Sequence, residues 1–217
     1  MHTVSLPHSL TQKRKPAAAS AEIDFFRLFA LCFGQPSREG FAWLSGKDSR
    51  AVWKRLGSRL GVDVKAGRAN SFPDFSSYEA AYIALFEVGV PEPPVPLLES
   101  AHSKRAVPQE IVLECANFYD VLGLRPSGSI FPADHLVTQL EFLVTVRYLR
   151  EYQSDSAKAE PLQRLEREFV ERHLLNWLPV VQEKINQLNP PLFPVLLRLL
   201  TAHLRAEISL LAPQNLC

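Results

Sequence analysis

The chain has 217 residues, 47% of them hydrophobic and 22% charged, which is ordinary for a globular protein with a sizeable core. With 24 Lys plus Arg against 23 Asp plus Glu the net charge is +1, so the balance gives no reason to expect nonspecific binding to nucleic acid or to an anionic membrane. Three widely spaced cysteines, Cys32, Cys115 and Cys217, have no CxxC pairing and argue against a disulfide framework or a structural zinc site; Cys32 and Cys115 read as buried apolar residues.

The first residues carry Lys13, Arg14 and Lys15, then Ala17 to Ala19. The apolar run that follows, Ile23 to Phe33, is broken by Asp24 and Arg27, so residues 1–21 are expected to be a flexible tail before a helical domain over 22–213. No stretch of about 18 uncharged apolar residues exists, so no integral membrane segment is expected, and the cytoplasm is the expected location.

From Glu22 to Phe33 the residues Ile23, Phe26, Phe29, Ala30 and Phe33 recur at helical spacing, and Gly34 and Pro36 stop the helix. A second helical region runs from about Glu39 to Leu60, and residues 61–73 read as a loop. From Ser76 the stripe Tyr78, Ala81, Tyr82, Leu85 and Phe86 predicts a helix, with Ser76 or Ser77 as its N-cap. The stretch Val88 to Ser100 has four prolines, which forbid helix and central strand alike, while Val95, Leu97 and Leu98 are expected to pack on the body. Such a restrained loop is either a binding-surface element or a stiff connector.

A helix is expected from Pro108 to Leu122, ended by Gly123. After a loop with Pro126, Gly128 and Pro132, the strongest helix runs from Ala133 to Tyr152, apolar almost all round and therefore central. A polar break at Ser154 to Ala159 precedes helices over Leu162 to Trp177, Val180 to Leu188 and Leu192 to Leu211. The expected fold class is all-α, a single-domain helical bundle.

No phosphate-binding glycine loop, HExxH or GxSxG is present, so an enzyme is not expected. His135 and Glu141 lie about 120° apart around a helix and cannot easily grip one metal ion. Asp134 and Glu141, two turns apart, project from one side about 10 Å apart, suited to two separate cations. Asp134 could equally stabilise a helix start and Glu141 pair with a nearby arginine. His102, His173 and His203 read as structural histidines.

Pro132-Ala133-Asp134-His135-Leu136 followed by Gln139-Leu140-Glu141-Phe142-Leu143 resembles the P-x-DHL-x-x-ELEFM signature of the TorD/DmsD/NarJ family of molybdoenzyme-specific chaperones. Leu85-Phe86-Glu87, Pro96-Leu97-Leu98-Glu99-Ser100, Phe118-Tyr119 with Gly123-Leu124, and Phe169 with Arg172-His173-Leu174 and Trp177 resemble further family segments, in family order. The Phe86 to Ser100 stretch most resembles the branch serving type II enzymes related to dimethyl sulfoxide reductase. Leu98 stands where that family has a tyrosine, Gln139 where it has an acid and Leu143 where it has a methionine.

The resemblance implies a TorD/DmsD-like bundle without cofactor of its own. Its partner would be the catalytic subunit of a molybdenum (bis-MGD) oxidoreductase, bound through a twin-arginine signal peptide. Glu99, Asp134 and Glu141 would meet the paired arginines through charge-assisted hydrogen bonds. His135 and Leu98 would line the same groove, with Tyr82, Phe86 and Phe118 as apolar walls. The competing readings are a helical adaptor with an unrelated partner and a nucleotide-handling or hydrolytic protein using Asp134, His135 and Glu141.

Overall fold

The computed structural model describes residues 19–64, 72–104, 107–124, 131–153 and 156–211. The expected tail lies outside them up to residue 18, as do Pro126, Gly128, Cys217 and most of the loop over 61–73. Among the described residues the helices are α1 (Ala19–Phe33), α2 (Arg38–Ser45), α3 (Lys47–Leu60), α4 (Phe75–Phe86) and α5 (Pro108–Asp120). They continue as α6 (Leu136–Glu151), α7 (Ser156–Phe169), α8 (Leu175–Leu188) and α9 (Phe193–Leu211). No strand occurs among these residues; one isolated antiparallel bridge joins Leu98 and His135. The fold class is all-α, as the sequence predicts.

Helix α6 is central. It packs against α1 and α7, while α9 packs against α8, α3, α7 and α1. The buried apolar residues form one contiguous cluster drawing on all of these helices. On α1 the buried face is Phe25, Phe26, Phe29, Cys32 and Phe33, close to the predicted stripe; the side chain of Ile23 is outside the described set. Gly123 takes the left-handed conformation, φ 68°, that lets the chain turn away after α5.

Several boundaries differ from expectation. The region from Glu39 to Leu60 is two helices, because the chain at Gly46 is extended (ψ 171°) and both caps α2 and starts α3. The N-cap of α4 is Asp74, not Ser76 or Ser77; its carboxylate accepts from the Ser77 N–H at 2.8 Å. Helix α7 starts at Ser156, inside the predicted break. Helix α8 runs through Pro179 without interruption, and a wider turn precedes it. That turn, Val170–Leu174, is a π turn in which the Leu175 N–H bonds to Val170 O. It joins α7 to α8 as one continuous helical rod.

The proline-rich stretch is anchored at both ends. Val95 N–H bonds to Leu85 O, Leu136 N–H bonds to Leu97 O, and Val95 and Leu97 are buried. Between those anchors, Val90 is 99% exposed.

Arg147 on α6 is a fully buried cation. Its Nε donates to Glu166 Oε1 at 2.6 Å and its Nη2 to Glu207 Oε2 at 3.0 Å, while the guanidinium lies over the Phe26 ring. Arg150 donates to the other oxygen of Glu166 at 2.7 Å. This network ties α6 to α7 and α9 at the bottom of the core.

Candidate functional site

Four of the five segments that carry the family resemblance, far apart in the chain, meet at one place. The loop ending the proline-rich stretch brings in Pro96 to His102, with a 3-10 turn over Glu99–Ala101. It lies against the start of α6: Glu99 N–H bonds to Asp134 O at 3.1 Å, and Ser100 N–H to Asp134 Oδ2 at 3.0 Å. From α5, the Tyr119 hydroxyl donates to Ala133 O. The π turn brings in His173, and α8 brings in Trp177.

At the centre is Glu99, fully buried. Its Oε2 accepts from Gln139 Nε2 at 2.7 Å and lies 2.9 Å from His173 Nδ1. The sulfur of Cys115 sits 3.5 Å from His173 Nδ1 and 3.8 Å from Glu99 Oε2. Trp177 Nε1, which can only donate, bonds to Gln139 Oε1 at 3.2 Å. That contact fixes the amide so that its NH2 faces Glu99. The rings of Phe118 and Phe169 flank His173 at 5.3 and 4.9 Å. Burial, followed by the nearby Glu99 carboxylate, pushes the Cys115 thiol far above the usual range. On the other side of Trp177, His102 stacks on the indole, contacts Pro96 O at 2.6 Å through Nε2 and meets Lys184 Nζ at 3.2 Å through Nδ1. A lysine can only donate, so His102 Nδ1 accepts there and its proton sits on Nε2.

Asp134 does not occupy the first turn of α6. It lies before the cap residue, is buried, and its carboxylate is engaged by Ser100 N–H, so it and Glu141 do not form a pair of acids on one helix face. His135 is the N-cap: its Nδ1 accepts from Val137 N–H at 3.1 Å, and its ring stacks on Phe131 with centroids 4.0 Å apart. A ring held so is a poor candidate for a hydrolytic base. Glu141 is exposed. Tyr82 and Phe86 are buried against Phe193, and the Tyr82 hydroxyl donates to Phe33 O at 2.9 Å, so both are core residues and not groove walls. Leu98 and Phe118 are half-buried. The resembling residues thus meet at an interior junction whose outer margin is Glu141, Leu98 and Phe118.

Sequence reasoning missed Cys115, His102 and Lys184, and took Gln139 only as a lost acid. Their spacing carries no local signature. The one sign was that Gln139 and Trp177 both fall inside resembling segments.

Buried histidines make the fold acid-sensitive. Burial holds His135 down to about 4, against a weaker opposing pull from Asp134. His203 is held down to about 3 by burial and then by Arg147 and Arg59. Both folded-state values lie below the unfolded value of about 6.5. The unfolded chain therefore takes up protons first, and the stability present above about pH 6.5 is lost as pH falls toward 4 and then 3. Urea midpoints measured from pH 7 to pH 4 should fall steadily, and His135→Asn should flatten that slope while supplying another cap acceptor. An unchanged slope would show that His135 does not titrate differently on folding.

A family model described as nitrate reductase delta subunit matches residues 47–183. The selenate reductase assembly chaperone protein of Thauera selenatis is 32% identical over 170 residues, covering 75% of this chain and 83% of that one. The chlorate reductase assembly chaperone protein of Ideonella dechloratans is 34% identical over 138 residues, covering 62% and 67%. The perchlorate reductase assembly chaperone protein of Dechloromonas aromatica (strain RCB) is 32% identical over 116 residues; the match covers 52% of this chain and about half, 51%, of that relative. A crystal structure of a redox enzyme maturation protein from Archaeoglobus fulgidus superposes with a TM-score of 0.43 at 18% identity, over 85% of this chain and 100% of that one. Together the family match and the likeness along most of the selenate relative place the chain: it belongs to the nitrate reductase delta subunit family, within the TorD/DmsD/NarJ group and on its type II branch.

Proposed function

We propose that this protein is a system-specific assembly chaperone with no turnover of its own, acting in the cytoplasm on the catalytic subunit of a molybdopterin oxidoreductase. It holds the immature subunit through its N-terminal, twin-arginine-type segment until the molybdenum cofactor is inserted, and so delays export. The observation that carries this reading is the 170-residue likeness to a selenate reductase assembly chaperone, supported by the chlorate and perchlorate relatives. No helix of the described residues is long and apolar enough to cross a membrane, which suits a partner that meets its client before export.

Within the predicted site, two kinds of residue separate. Glu99, Asp134 and His135 set the shape of the junction from inside. Glu141 is the acid a client arginine can reach, and Leu98 and Phe118 offer half-buried apolar surface at its margin. An arginine meeting Glu141 would form a charge-assisted hydrogen bond, which outlasts a neutral one at a partly wet surface.

Affinity capture from native cells should recover a molybdopterin catalytic subunit, and calorimetry should detect binding of that subunit's N-terminal peptide. Glu141→Ala should weaken that binding about 3- to 10-fold, the loss of about 1 kcal/mol, with no change in urea midpoint. Asp134→Ala should do the reverse: it strands the Ser100 N–H and lowers stability by about 1–3 kcal/mol, while the folded fraction still binds. A leader peptide that fails to bind the folded wild-type protein, or capture without any such subunit, would overturn the function itself. Normal binding by Glu141→Ala would overturn only the assignment of that residue.

A further inference from the structure

The buried group formed by Glu99, Cys115 and His173 offers one carboxylate oxygen, one sulfur and one imidazole nitrogen, all within 4.8 Å of one another. The three pairwise distances are 2.9 Å (N to O), 3.5 Å (S to N) and 3.8 Å (S to O). Around a zinc ion, bonds of about 2.0–2.1 Å to N and O and about 2.3 Å to S set ligand-to-ligand separations near 3.3–3.6 Å in a tetrahedron. The observed triangle brackets that size. Seating an ion would require Glu99 and His173 to part by a few tenths of an ångström and Cys115 to close by about as much.

We propose that Glu99, Cys115 and His173 form a binding site for one borderline-soft divalent cation of the zinc class. The donor set is the mixed N, O and S kind that zinc takes, and not the all-oxygen kind of magnesium or calcium. Each ligand comes from a different element: the 3-10 turn, α5 and the π turn. The π turn is what carries His173 into the triangle, and such turns recur at functional sites.

A second layer is already in place. Gln139 Nε2 bonds to the same Glu99 oxygen and is itself held by Trp177, the kind of outer contact that orients a ligating carboxylate. Phe118 and Phe169 wall the imidazole with apolar surface. On binding, the cation takes the Cys115 sulfur as thiolate and the thiol proton leaves to solvent. His173 coordinates through Nδ1, so the proton that Nδ1 directs at Glu99 Oε2 in the metal-free network moves to Nε2. Nothing is oxidised or reduced, and one proton is released per ion. The ion would staple the proline-rich stretch to α5 and to the α7–α8 rod. This goes beyond the chaperone reading and does not depend on it.

The test uses the full chain, stripped with chelator and titrated with Co2+ and separately with Zn2+. One equivalent of Co2+ should produce an intense thiolate-to-cobalt charge-transfer band, and Zn2+ should raise the melting temperature by several degrees. Cys115→Ser, close in size, should abolish the band, whereas Cys32→Ser, which alters a buried thiol elsewhere, should keep it. No band and no thermal shift with the folded wild-type chain would mean that the trio is a hydrogen-bonded network and nothing more. A band that survives Cys115→Ser would place the ion at another thiol. Either result overturns the proposal. A leader peptide bound equally well with and without metal would leave the chaperone function standing by itself.

Discussion

Replacing Arg147 with alanine is expected to destabilise the fold by about 3–5 kcal/mol, the cost of removing the buried guanidinium that bridges two acids. Glu166 would keep Arg150, but Glu207 would lose the guanidinium that reaches it at 3.0 Å inside the core. The space beside Phe26, where the guanidinium lies against the ring, would also be left unfilled. Urea unfolding followed by helical circular dichroism reads the loss directly. Arg147→Met together with Glu166→Leu and Glu207→Leu should recover much of it, because replacing buried charges together by apolar groups is often neutral and the partners left, Arg150 and Arg59, reach solvent. A single substitution that costs less than about 1 kcal/mol would show that water reaches the network and screens it.

Phe193→Ala is expected to cost about 3–5 kcal/mol as well, by a different route. Phe193 is fully buried, and its ring stands edge-on to Phe86 with centroids 5.0 Å apart, stacks on Tyr78 at 6.0 Å and approaches Tyr82 at 6.3 Å. Truncation removes these contacts and leaves a cavity whose walls belong to α4. Phe193→Leu, which keeps most of the volume, should cost clearly less. The pair also tests the placement of Tyr82 and Phe86. If they were walls of a peptide groove, Phe193→Ala would reshape that groove and change leader affinity in the protein that remains folded. The packing predicts a stability loss with affinity intact.

Helices were legible in the sequence where punctuation was local. Gly34 and Pro36 end α1, Gly123 turns the chain after α5, and Pro190-Pro191 separate α8 from α9, because each residue acts on its own backbone. Asp74 caps α4 from just outside it, whereas Ser76 and Ser77, the caps that the spacing favours, stand inside the helix. The break expected before Val180 is absent, since α8 continues through Pro179, and the π turn ahead of it is hidden from a pattern read at 100° per residue.

The site was half legible. The resembling segments converge on one neighbourhood, but the sequence offers no means of telling which side chains face inward. Asp134 reads as a helix-start acid until the loop containing Ser100, 34 residues earlier, claims its carboxylate. Glu99 reads as a surface acid because carboxylates rarely lie at full burial without partners. Its partners, Gln139 and His173, are 40 and 74 residues away, so only the folded topology brings them together. Glu141, by contrast, is exposed, the ordinary state of a carboxylate.

The wide turn over residues 170–174 has a bearing on how this chain can vary in length. Because one additional residue is accommodated there, everything downstream is rotated by about 100° relative to an unbroken rod. Glu166 is aimed at Arg147 on one side of that offset, and Trp177 at Gln139 on the other. A one-codon deletion between them would restore a regular spiral and leave those two partners impossible to satisfy together. Insertions and deletions should therefore be purged from this short window even where single substitutions on its outer surface are tolerated.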